Sequence, residues 1–339
     1  PWEQSDIGLE GDLELDDVTL IPGSVLEVAG DVSGNWTTSY QYWVTENITV
    51  PEGDFLIIDA GVRVKFFEGT GLVANGRLEI NGTDENNVLF TSKLPTPLPG
   101  DWDNVELYGE NNVISYLVYE YADDGFTGDN ASGSSFDHLH MVGTLSLEAN
   151  GIVLTNSSNM SFTNNHISVA GEYGIFSENS PNSVVNNNEI NGSYSTAAIR
   201  MQECDNCEFD SNTITNRPYK GIWTQYSDNT SITNNIMDVQ YNGIEANEGS
   251  YLTIENNTIT NFEEYGIYFQ SSENSIVNYN HLIGCDNCGG WKRGIHNETS
   301  AYAQVNYNYV YINASDSDII GIIVHDSQII GDSVYVLLG

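Results

Sequence analysis

Isoleucine recurs at a nearly fixed interval through the second half of the chain, each time directly after a small residue. Gly-Ile or Ala-Ile pairs begin at Gly151, Gly174, Ala198, Gly221, Gly243, Gly266 and Gly294, and a further start is Gly321. The steps between them are 23, 24, 23, 22, 23, 28 and 27 residues. Such a period is typical of a solenoid, in which each copy of the repeat forms one coil and stacks on the next.

Two more apolar positions recur in the first seven copies, at the twelfth and seventeenth residues. With the isoleucines they form three columns: Ile152, Ile175, Ile199, Ile222, Ile244, Ile267, Ile295; Phe162, Val185, Phe209, Ile232, Ile254, Val277, Val305; and Ile167, Ile190, Ile214, Met237, Ile259, Leu282, Val310. Polar neighbours alternate with these residues, which favours strands over helices. A copy of about 23 residues is too short for two helices but long enough for three strands. The pattern predicts an all-β, right-handed parallel β-helix with three short strands per coil.

An asparagine stands fourteen residues after the start of each of these seven copies. The column is Asn165, Asn188, Asn212, Asn235, Asn257, Asn280 and Asn308. Asn adopts left-handed backbone more readily than other residues with a Cβ, and its amide can bond to a neighbouring copy. We therefore predict an Asn ladder along one edge of the solenoid.

The chain before the regular repeats divides into less regular parts. Residues 1–50 lack the repeat but contain alternating apolar runs, which predicts a β-rich cap or early coils; the β-helix is predicted for 51–339, with regular coils from about 145. The segment from Tyr121 to Asp137 is rich in Gly, Ser and Asp, which predicts a loop inserted between coils. Because the chain starts without Met and ends on an apolar strand pattern, we expect a piece of a longer exported protein whose β-helix continues.

The stretch VPEGDFLIIDAGVRVKFFEGTGLVANGRLEINGTDENNVLFTS and the following LPGDWDNVELYG look like the entry coils of known β-helix domains. There an apolar strand leads into a pGdW turn, matched here by Pro99, Gly100, Asp101 and Trp102. With the repeats over about residues 145 to 335, the chain resembles the right-handed parallel β-helix repeat family of prokaryotic, notably archaeal, cell-surface proteins. The resemblance implies the architecture and leaves the activity open, because this fold hosts lyases, hydrolases, epimerases, adhesins and inert spacers.

The charge is strongly one-sided, with 48 acidic residues against 9 basic ones and a formal net charge of -39. This excludes nucleic acid and an anionic membrane surface as partners, and no apolar run is long enough to span a bilayer. Asn-x-Ser/Thr acceptors are frequent, which predicts an extracellular, glycosylated protein at the cell surface. They are Asn35, Asn47, Asn81, Asn130, Asn156, Asn159, Asn191, Asn229, Asn256, Asn297 and Asn313.

Two CDNC strings hold all four cysteines, Cys204 with Cys207 and Cys285 with Cys288. A four-cysteine zinc site is excluded, because the repeat register separates the pairs by about 14 Å and places them at different corners. We predict that each pair closes a disulfide across its own turn, as export allows. The second pair would then pin an enlarged loop that presents Trp291, Lys292 and Arg293.

The outward positions of the first strand carry aromatic, amide and charged residues. The third position of successive copies reads Val153, Phe176, Arg200, Trp223, Glu245, Tyr268 and His296, and the fifth reads Thr155, Glu178, Gln202, Gln225, Asn247, Gln270 and Glu298. Sugars bind such surfaces through ring stacking and hydrogen bonds. The candidate carbohydrate-binding residues are therefore Arg200, Trp223, Glu245, Tyr268, His296 and Trp291. Stacking that merely stabilises the sheet explains the same columns.

Catalysis on this face would depend on Glu178, Arg200, Glu203, Glu245 and His296. Glu178 and Glu245 are three coils apart, about 14 Å, which exceeds the carboxylate spacing of either hydrolytic geometry. The motifs of polygalacturonases and alginate epimerases are missing, and we find no Arg or Lys cluster to hold a uronate. We therefore predict no catalytic residue.

Metal sites are not predicted either. His138 and His140 alternate with Leu139 and could share one strand face as half of a zinc or copper site, but two ligands do not make a site. Of the other histidines, His166, His281 and His325 lie at separate points along the chain. The acid clusters Asp123, Asp124, Asp129 and Asp316, Asp318 are the places where Ca²⁺ could bind, although no complete calcium motif surrounds them.

Three functional hypotheses follow, in this order. The first is a structural β-helix domain of a surface layer, sheath or appendage, with copies of itself or other surface proteins as partners. The second is a glycan-binding adhesin that uses the Arg200, Trp223 and Tyr268 face. The third is a polysaccharide lyase, hydrolase or epimerase.

Overall fold

A computed structural model describes residues 24–142, 149–169, 171–286, 291–314, 319–324 and 326–338. These residues form 38 strands, and every strand pair runs parallel, as between neighbouring coils. The predicted all-β parallel β-helix is therefore confirmed. In the described part of the chain, no helix is long and apolar enough to cross a membrane.

Three parallel sheets wrap the solenoid, and each coil passes through them in the order A, B, C. Sheet A contains β6 (Leu72–Ala74), β9 (Val105–Leu107), β12 (Phe126–Asp129), β15 (Ile152–Thr155), β18 (Tyr173–Glu178), β21 (Ala197–Gln202), β24 (Lys220–Gln225), β27 (Asn242–Asn247), β30 (Tyr265–Gln270), β33 (Lys292–Glu298) and β36 (Ile319–Ile323). Sheet B contains β2 (Gly34–Trp36), β4 (Phe55–Asp59), β7 (Arg77–Asn81), β10 (Val113–Ser115), β13 (Ser135–Asp137), β16 (Ser161–Thr163), β19 (Val184–Asn186), β22 (Glu208–Asp210), β25 (Ser231–Thr233), β28 (Thr253–Glu255), β31 (Ile276–Asn278), β34 (Gln304–Asn306) and β37 (Gln328–Ile330).

Sheet C completes the cross-section, and the first two long strands join it to sheet A. Its strands are β5 (Arg63–Phe66), β8 (Val88–Ser92), β11 (Leu117–Glu120), β14 (His140–Val142), β17 (His166–Ser168), β20 (Glu189–Asn191), β23 (Thr213–Thr215), β26 (Ile236–Asp238), β29 (Thr258–Phe262), β32 (His281–Gly284), β35 (Tyr309–Ala314) and β38 (Ser333–Leu338). The strands β1 (Ser24–Asp31) and β3 (Tyr40–Val50) bend from sheet C into sheet A.

The core is a set of apolar columns that run along the axis. All members of the three predicted columns are fully buried, and the strands alternate buried with partly exposed residues. Equivalent residues are paired in register, as Ile222 is with Ile244 and Ile244 is with Ile267. Each coil therefore covers the apolar surface of its neighbours, and burial of this surface stabilises the stack.

The Asn ladder lies inside the corner between sheets B and C. The Nδ2 of Asn212 donates to Asn235 Oδ1 at 2.9 Å, and the Nδ2 of Asn235 donates to Asn257 Oδ1 at 2.9 Å. All seven asparagines are buried. The left-handed residue is the one before each ladder asparagine, for example Asn234 with φ of 56°. The expectation that the ladder residue itself is left-handed is wrong, because its side chain must point inward to reach its neighbours.

The predicted insertion at 121–137 is also wrong, since this segment forms a regular coil. Its strand β12 pairs with β9 and β15, and β13 pairs with β10 and β16. Ala131 and Ser134 are buried at a corner, where the Ser134 hydroxyl donates to the Ala131 carbonyl at 2.7 Å. The small residues that suggested a loop are therefore corner residues, and Phe126 and Phe136 fill the core beneath them.

Regular stacking starts well before residue 145. The described residues from Ser24 to Val50 already pair in parallel with the next coil, so they are early coils; residues 1–23 lie outside the described part. Trp102 of the pGdW turn is fully buried, stacks on Phe66 at 4.0 Å between ring centroids, and donates Nε1–H to the Glu120 carbonyl at 2.8 Å. Gly100 has φ of 84°, a conformation that favours glycine. This motif therefore shapes a turn.

Candidate functional site

The outward side chains of sheet A form a continuous strip along the C-terminal half of the solenoid. We call the residues Phe176, Arg200, Trp223, Glu245, Tyr268 and His296 the outer strip. Each is the register partner of the next across β18, β21, β24, β27, β30 and β33. The structure therefore brings five of the six candidate carbohydrate-binding residues into one row. The sixth, Trp291, precedes β33, is 59% exposed and lies beside Arg293, with 5.6 Å from the ring centroid to Cζ.

Two cations meet at Trp223. The guanidinium carbon of Arg200 is 4.0 Å from the indole centroid, and Nζ of Lys220 is 3.7 Å from it. Arg200 also donates to the Tyr173 hydroxyl and to Gln202 Oε1, both at 2.9 Å. Two basic residues therefore lie together on this face, which was not predicted, although Lys220 is paired with Glu245. The sequence concealed the cluster because Lys220 is the residue before Gly221, and only the folded strand places it on the same outward face.

Glu245 forms an ion pair and two hydrogen bonds with the polar groups around it. Its Oε2 is 2.9 Å from Nζ of Lys220 and accepts from Asn242 Nδ2 at 2.8 Å, while its Oε1 accepts from Asn247 Nδ2 at 3.1 Å. The side chains of Lys220 and Glu245 are only 13% and 11% exposed. An ion pair so poorly solvated is held rigidly, because either charge would be costly to leave alone.

Tyrosine, histidine and arginine side chains form the C-terminal end of the strip. Tyr268 donates its hydroxyl to Glu298 Oε2 at 2.6 Å. Burial, and then this hydrogen bond, raise the pKa of Tyr268 well above its ordinary value, so the phenol stays protonated at neutral pH. Arg293 Nη1 lies 3.0 Å from His296 Nδ1. Because arginine can only donate, Nδ1 is the acceptor in this contact.

Three buried polar atoms of this region have no hydrogen-bond partner within the protein. They are Arg200 Nε, Trp223 Nε1 and Asn247 Oδ1, and they lie on the consecutive strands β21, β24 and β27. Leaving a buried donor or acceptor unpaired costs about 1–3 kcal/mol each. Three further such atoms among the described residues, Trp43 Nε1, Asn306 Oδ1 and Asp332 Oδ2, lie outside this face.

The remaining carboxylates of the catalytic hypothesis do not converge. Glu178 accepts from Gln202 Nε2 at 2.8 Å and lies at the other end of the strip from Tyr268. Glu203 is the left-handed residue of a corner, with φ of 52°, outside strand β21. No pair of acids on this face is therefore singled out for a hydrolytic mechanism.

The same face ends in a groove near the N-terminus that the sequence did not reveal. A cavity of about 490 Å³ is lined by Asp31, Thr49, Pro51, Glu52, Asn75 and Tyr108. Tyr108 donates to Glu106 Oε2 at 2.7 Å, which raises the pKa of this phenol. These coils lack the Gly-Ile spacing, so only strand pairing from β3 through β6 and β9 aligns them with the strip.

The first CDNC string forms a disulfide across a corner between sheets A and B. Cys204 and Cys207 are bonded, with 5.8 Å between their Cα atoms, and both are buried. Ser180 and Ser227 occupy the position of Cys204 in the neighbouring coils, and Ser227 Oγ accepts from the Cys204 amide at 3.0 Å. Cys285 is also disulfide-bonded, while Cys288 lies outside the described residues.

His138 and His140, considered in the sequence as half of a metal site but not predicted as one, are placed differently by the fold. His138 is at a corner with φ of 54°, stacks on Tyr116 and pairs with Asp137 at 2.9 Å, so it does not share a strand face with His140. Burial, and then the nearby His166, lower the pKa of His140. His325 lies outside the described residues.

In the first acid cluster, Asp124 and Asp129 accept hydrogen bonds from backbone amides and from corner side chains. Asp124 Oδ1 accepts from the Asn150 and Gly125 amides, and Asp129 Oδ1 accepts from Thr155 and Asn156. Asp316 and Asp318 lie outside the described residues. Within the described ranges, no group of three or more His, Cys, Asp or Glu side chains is arranged to hold a metal ion.

Family models match most of the repeat region. Residues 192–333 match the right-handed beta helix region, and residues 98–241 match the periplasmic copper-binding protein NosD. No curated protein is significantly similar to the chain in sequence.

Solved structures share the architecture at low sequence identity. A mutant of the periplasmic alginate epimerase AlgG has a TM-score of 0.61 and 14% identity, over 86% of this chain and 77% of that one. The GH136 lacto-N-biosidase from Eubacterium ramulus has a TM-score of 0.54 and 13% identity, over 86% of this chain and 63% of that one. At such identities the likeness concerns the fold alone. The chain therefore has the right-handed parallel β-helix fold, and its residues 192–333 are similar to the right-handed beta helix region.

Proposed function

We propose that this chain is an exported, rigid module that binds carbohydrate along the outer strip. The observation that carries the proposal is the row of unpaired buried atoms, Arg200 Nε, Trp223 Nε1 and Asn247 Oδ1, in three consecutive coils. Successive coils of a parallel sheet are spaced by about 4.8 Å. A linear polymer that lies along the axis would pass one of these atoms in each coil, and because all three are covered, neighbouring side chains would have to shift for it to contact them.

The chemistry of the three atoms suits hydroxyl groups. Two of the atoms belong to donors and one is an acceptor, and a sugar hydroxyl can serve as either. The indole of Trp223 is already contacted by Arg200 and Lys220, so its Nε1–H is the group left to bond a ligand once the side chains that cover it move aside. Tyr268 and the exposed Trp291 would supply ring surface for stacking at the C-terminal end.

The test is a glycan array followed by titration with the best binder. Trp223→Phe keeps an aromatic ring between the two cations but removes the Nε1–H donor. Loss of one hydrogen bond in a desolvated site should weaken binding by about tenfold. The matched control is Tyr279→Phe, at an exposed corner outside the strip where the ring is 54% exposed, which should bind as the unchanged protein does. Absence of any bound glycan, or equal behaviour of the two variants, would contradict the proposal.

Export is supported by several independent features. A disulfide joins Cys204 and Cys207, and sequons such as Asn156, Asn159 and Asn229 lie on exposed corners. The matched NosD model and the epimerase are described as periplasmic. A periplasmic or extracellular location is therefore proposed, and intact mass with glycopeptide mapping of protein from its native host would test it.

A polysaccharide-modifying enzyme is the second candidate. It is favoured by the Lys220–Glu245, Tyr268–Glu298 and Arg293–His296 contacts, which place acid, base and cationic groups on neighbouring coils. The fold is shared with an alginate epimerase and a lacto-N-biosidase. Incubation with uronate polymers and neutral glycans, with mass spectrometry of the products, would distinguish an enzyme from a binding module.

The structural role in a surface layer, sheath or appendage stays a prediction. The stacked core and the ladder support a stiff rod, which suits a spacer as well as a binding scaffold. Light scattering and electron microscopy of the full-length protein would test self-assembly. Stable monomers under all conditions would count against a filament-forming role.

A further inference from the structure

A lysine and an asparagine on adjacent coils share one carboxylate oxygen. Lys220 of β24 and Asn242 of β27 are register partners in the parallel sheet, where neighbouring strands are about 4.8 Å apart. Lys220 Nζ lies 2.9 Å from Glu245 Oε2, and Asn242 Nδ2 donates to the same oxygen at 2.8 Å. An amine, a side-chain amide and a group that can carry protons between them are therefore in contact.

The three groups lie in a poorly solvated place. The side chains of Lys220 and Glu245 are 13% and 11% exposed, and Asn242 is 3% exposed. Lys220 Nζ is 3.7 Å from the centroid of the Trp223 ring. Packing therefore fixes the amine beside the amide, and the limited access of water reduces competition from hydrolysis.

The carbonyl of the asparagine side chain is already polarised. The backbone N–H of Tyr265, in the next coil, donates to Asn242 Oδ1 at 3.2 Å. An amine that attacks Cγ drives negative charge onto Oδ1, and a fixed N–H aimed at that oxygen stabilises the charge. The donor is held in place because its strand β30 pairs with β27. The amide thus presents its oxygen to a donor and its nitrogen to the carboxylate.

We propose that Lys220 and Asn242 form an intramolecular isopeptide bond, with Glu245 as the proton carrier. Glu245 takes a proton from the Lys220 ammonium, and the lone pair of Nζ attacks Asn242 Cγ. The Nζ–Cγ bond forms, the Cγ–Nδ2 bond breaks, and Glu245 returns the proton to the leaving nitrogen. A second proton from Nζ follows by the same path, so ammonium is released and Glu245 ends as a carboxylate. The reaction consumes no oxidant and no added molecule.

The same column of the solenoid contains an asparagine without an amine beside it. Asn150 precedes Gly151 as Asn242 precedes Gly243, and its Oδ1 accepts from the Tyr173 amide at 3.0 Å. In the preceding coil its neighbour is Asp124, whose Oδ1 accepts from the Asn150 amide at 2.7 Å. Asn150 therefore has a polarised carbonyl but an acid in place of the lysine, and it should stay unmodified.

The bond would join two coils covalently within the outer strip. It does not involve the unpaired atoms on which the carbohydrate proposal rests, so the two proposals stand or fall separately. The cross-link is read from peptide masses, whereas the carbohydrate proposal is read from glycan binding.

The experiment uses full-length protein from a host that does not glycosylate, incubated at neutral pH until its mass is constant. The protein is then reduced, alkylated and digested with trypsin. Within residues 201–291, trypsin can cut only after Lys220, because the other basic residue, Arg217, is followed by proline. Trypsin recognises the charged amine, so an acylated Lys220 resists it. We expect a single peptide, 201–292, that is lighter by one ammonia.

Tandem mass spectrometry after digestion with a second protease should find Lys220 joined to Asn242, and Asn150 intact. Separate peptides 201–220 and 221–292 of full mass would overturn the proposal. So would a loss of ammonia from 221–292 alone, since that result indicates a succinimide between Asn242 and Gly243.

Two variants test the assigned roles. Lys220→Arg keeps a cation beside Glu245 but removes the amine, and Glu245→Gln removes the proton carrier. Each should lose the cross-link completely, so that trypsin cuts at position 220 and the full mass returns. Circular dichroism would verify that the variants fold, and retention of the cross-link in either folded variant would contradict the mechanism.

Lys93→Arg is the matched control. Lys93 Nζ also lies over an indole, 4.0 Å from the centroid of the Trp43 ring, but among the described residues no carboxylate is paired with it. This variant should retain the cross-link between Lys220 and Asn242. Loss of the cross-link in Lys93→Arg as well would show that it does not depend on the contacts around Glu245.

Discussion

The Asn ladder and the outer strip are both columns that advance by one residue per coil, yet they behave in opposite ways. Every ladder position has the same residue, and each amide between the two ends both donates to one equivalent and accepts from another. Every position of the outer strip has a different residue, and its contacts join unlike groups, as in Lys220 with Glu245. Repetition of one side chain is enough to stack coils, whereas departure from repetition creates a surface with individual chemistry.

The two columns also differ in how fully their polar atoms are paired. Asn235 Nδ2 donates to both Phe209 O and Asn257 Oδ1, and its Oδ1 accepts from both the backbone and the side chain of Asn212. On the strip, Arg200 Nε and Trp223 Nε1 stay unpaired although they are buried. Full pairing indicates a role in stability, whereas unpaired buried atoms need a separate explanation, which the carbohydrate proposal offers for the strip.

The largest expected effect comes from breaking the ladder. Asn235→Ala would leave the Asn212 amide without its acceptor and the Asn257 side chain without its Nδ2 donor, and would remove one donor from the Phe209 carbonyl, with a cost of about 1–3 kcal/mol for each buried polar group left unpaired. We expect the free energy of unfolding to fall by about 4 kcal/mol in urea titrations. Glycan binding by the folded protein should not change. Gln225→Ala, an amide removed from the partly exposed outer face, is the control, and a similar loss in both variants would refute the distinction between the columns.

The ion pair of the strip should be the next most sensitive point. Glu245→Gln keeps the shape but leaves Lys220 without its carboxylate in a poorly solvated place. We expect a loss of about 2 kcal/mol, less than for a fully buried pair. Glu248→Gln, at an exposed corner, should change stability little. If urea midpoints of the two variants coincide, Glu245 has no structural role in the strip.

A smaller, pH-dependent effect should arise at the outer corners. Asp210 accepts from Thr233 Oγ1 and Asn234 Nδ2, both at 2.6 Å. Burial raises the pKa of Asp210, but these hydrogen bonds outweigh it and lower the pKa overall. A carboxyl with a lowered folded pKa contributes stability above its unfolded pKa of about 3.9, and this contribution is lost as the pH falls through the folded pKa.

Asp210→Asn should therefore be less stable than the unchanged protein by at most about 1 kcal/mol at pH 7. This difference should close as the pH falls below about 4. Urea titrations between pH 7 and pH 3 would measure it. Asp84→Asn, which removes the same charge at an exposed turn, is the control. If the difference in the free energy of unfolding between Asp210→Asn and the unchanged protein stays constant with pH, the hydrogen bonds of Asp210 do not favour the carboxylate.

The smallest effect concerns glycosylation. We expect glycans only on acceptor asparagines that lie on the outside of the solenoid. Asn297 is fully buried, and its Nδ2 donates to Ser300 O at 2.8 Å and to Ser327 Oγ at 2.9 Å. Asn229 is exposed at a corner. In a host that glycosylates, peptide mapping should find Asn297 unmodified. A glycan on Asn297 of the folded protein would contradict the position of this side chain.

Local sequence patterns correctly predicted the features that repeat from one coil to the next. The isoleucine columns and the ladder follow from spacing alone, because in-register stacking puts equal positions above one another. The segment 121–137 was mistaken for a loop because small and acidic residues fit corners as well as loops, and its pairing with β10 and β16 is not visible in its composition. The left-handed backbone conformation was expected at the ladder asparagine, but it occurs at the residue before it.

The candidate site was predictable as a row but not as a set of contacts. Spacing placed Arg200, Trp223, Glu245, Tyr268 and His296 on one face. It could not show that Lys220 lies against the same indole as Arg200, since rotamers and neighbouring strands decide that. The contact between His140 and His166 was not predicted, because His140 precedes the first regular copy and His166 lies within it.

The sequence by itself determined the solenoid, its period, its apolar interior and the ladder, since each of these repeats a short-range pattern that one coil imposes on the next. Tertiary structure alone decided which unlike side chains meet, which buried polar atoms stay unpaired and which histidines lie side by side. Those features depend on contacts between residues about one coil apart, whose side-chain directions no local pattern specifies.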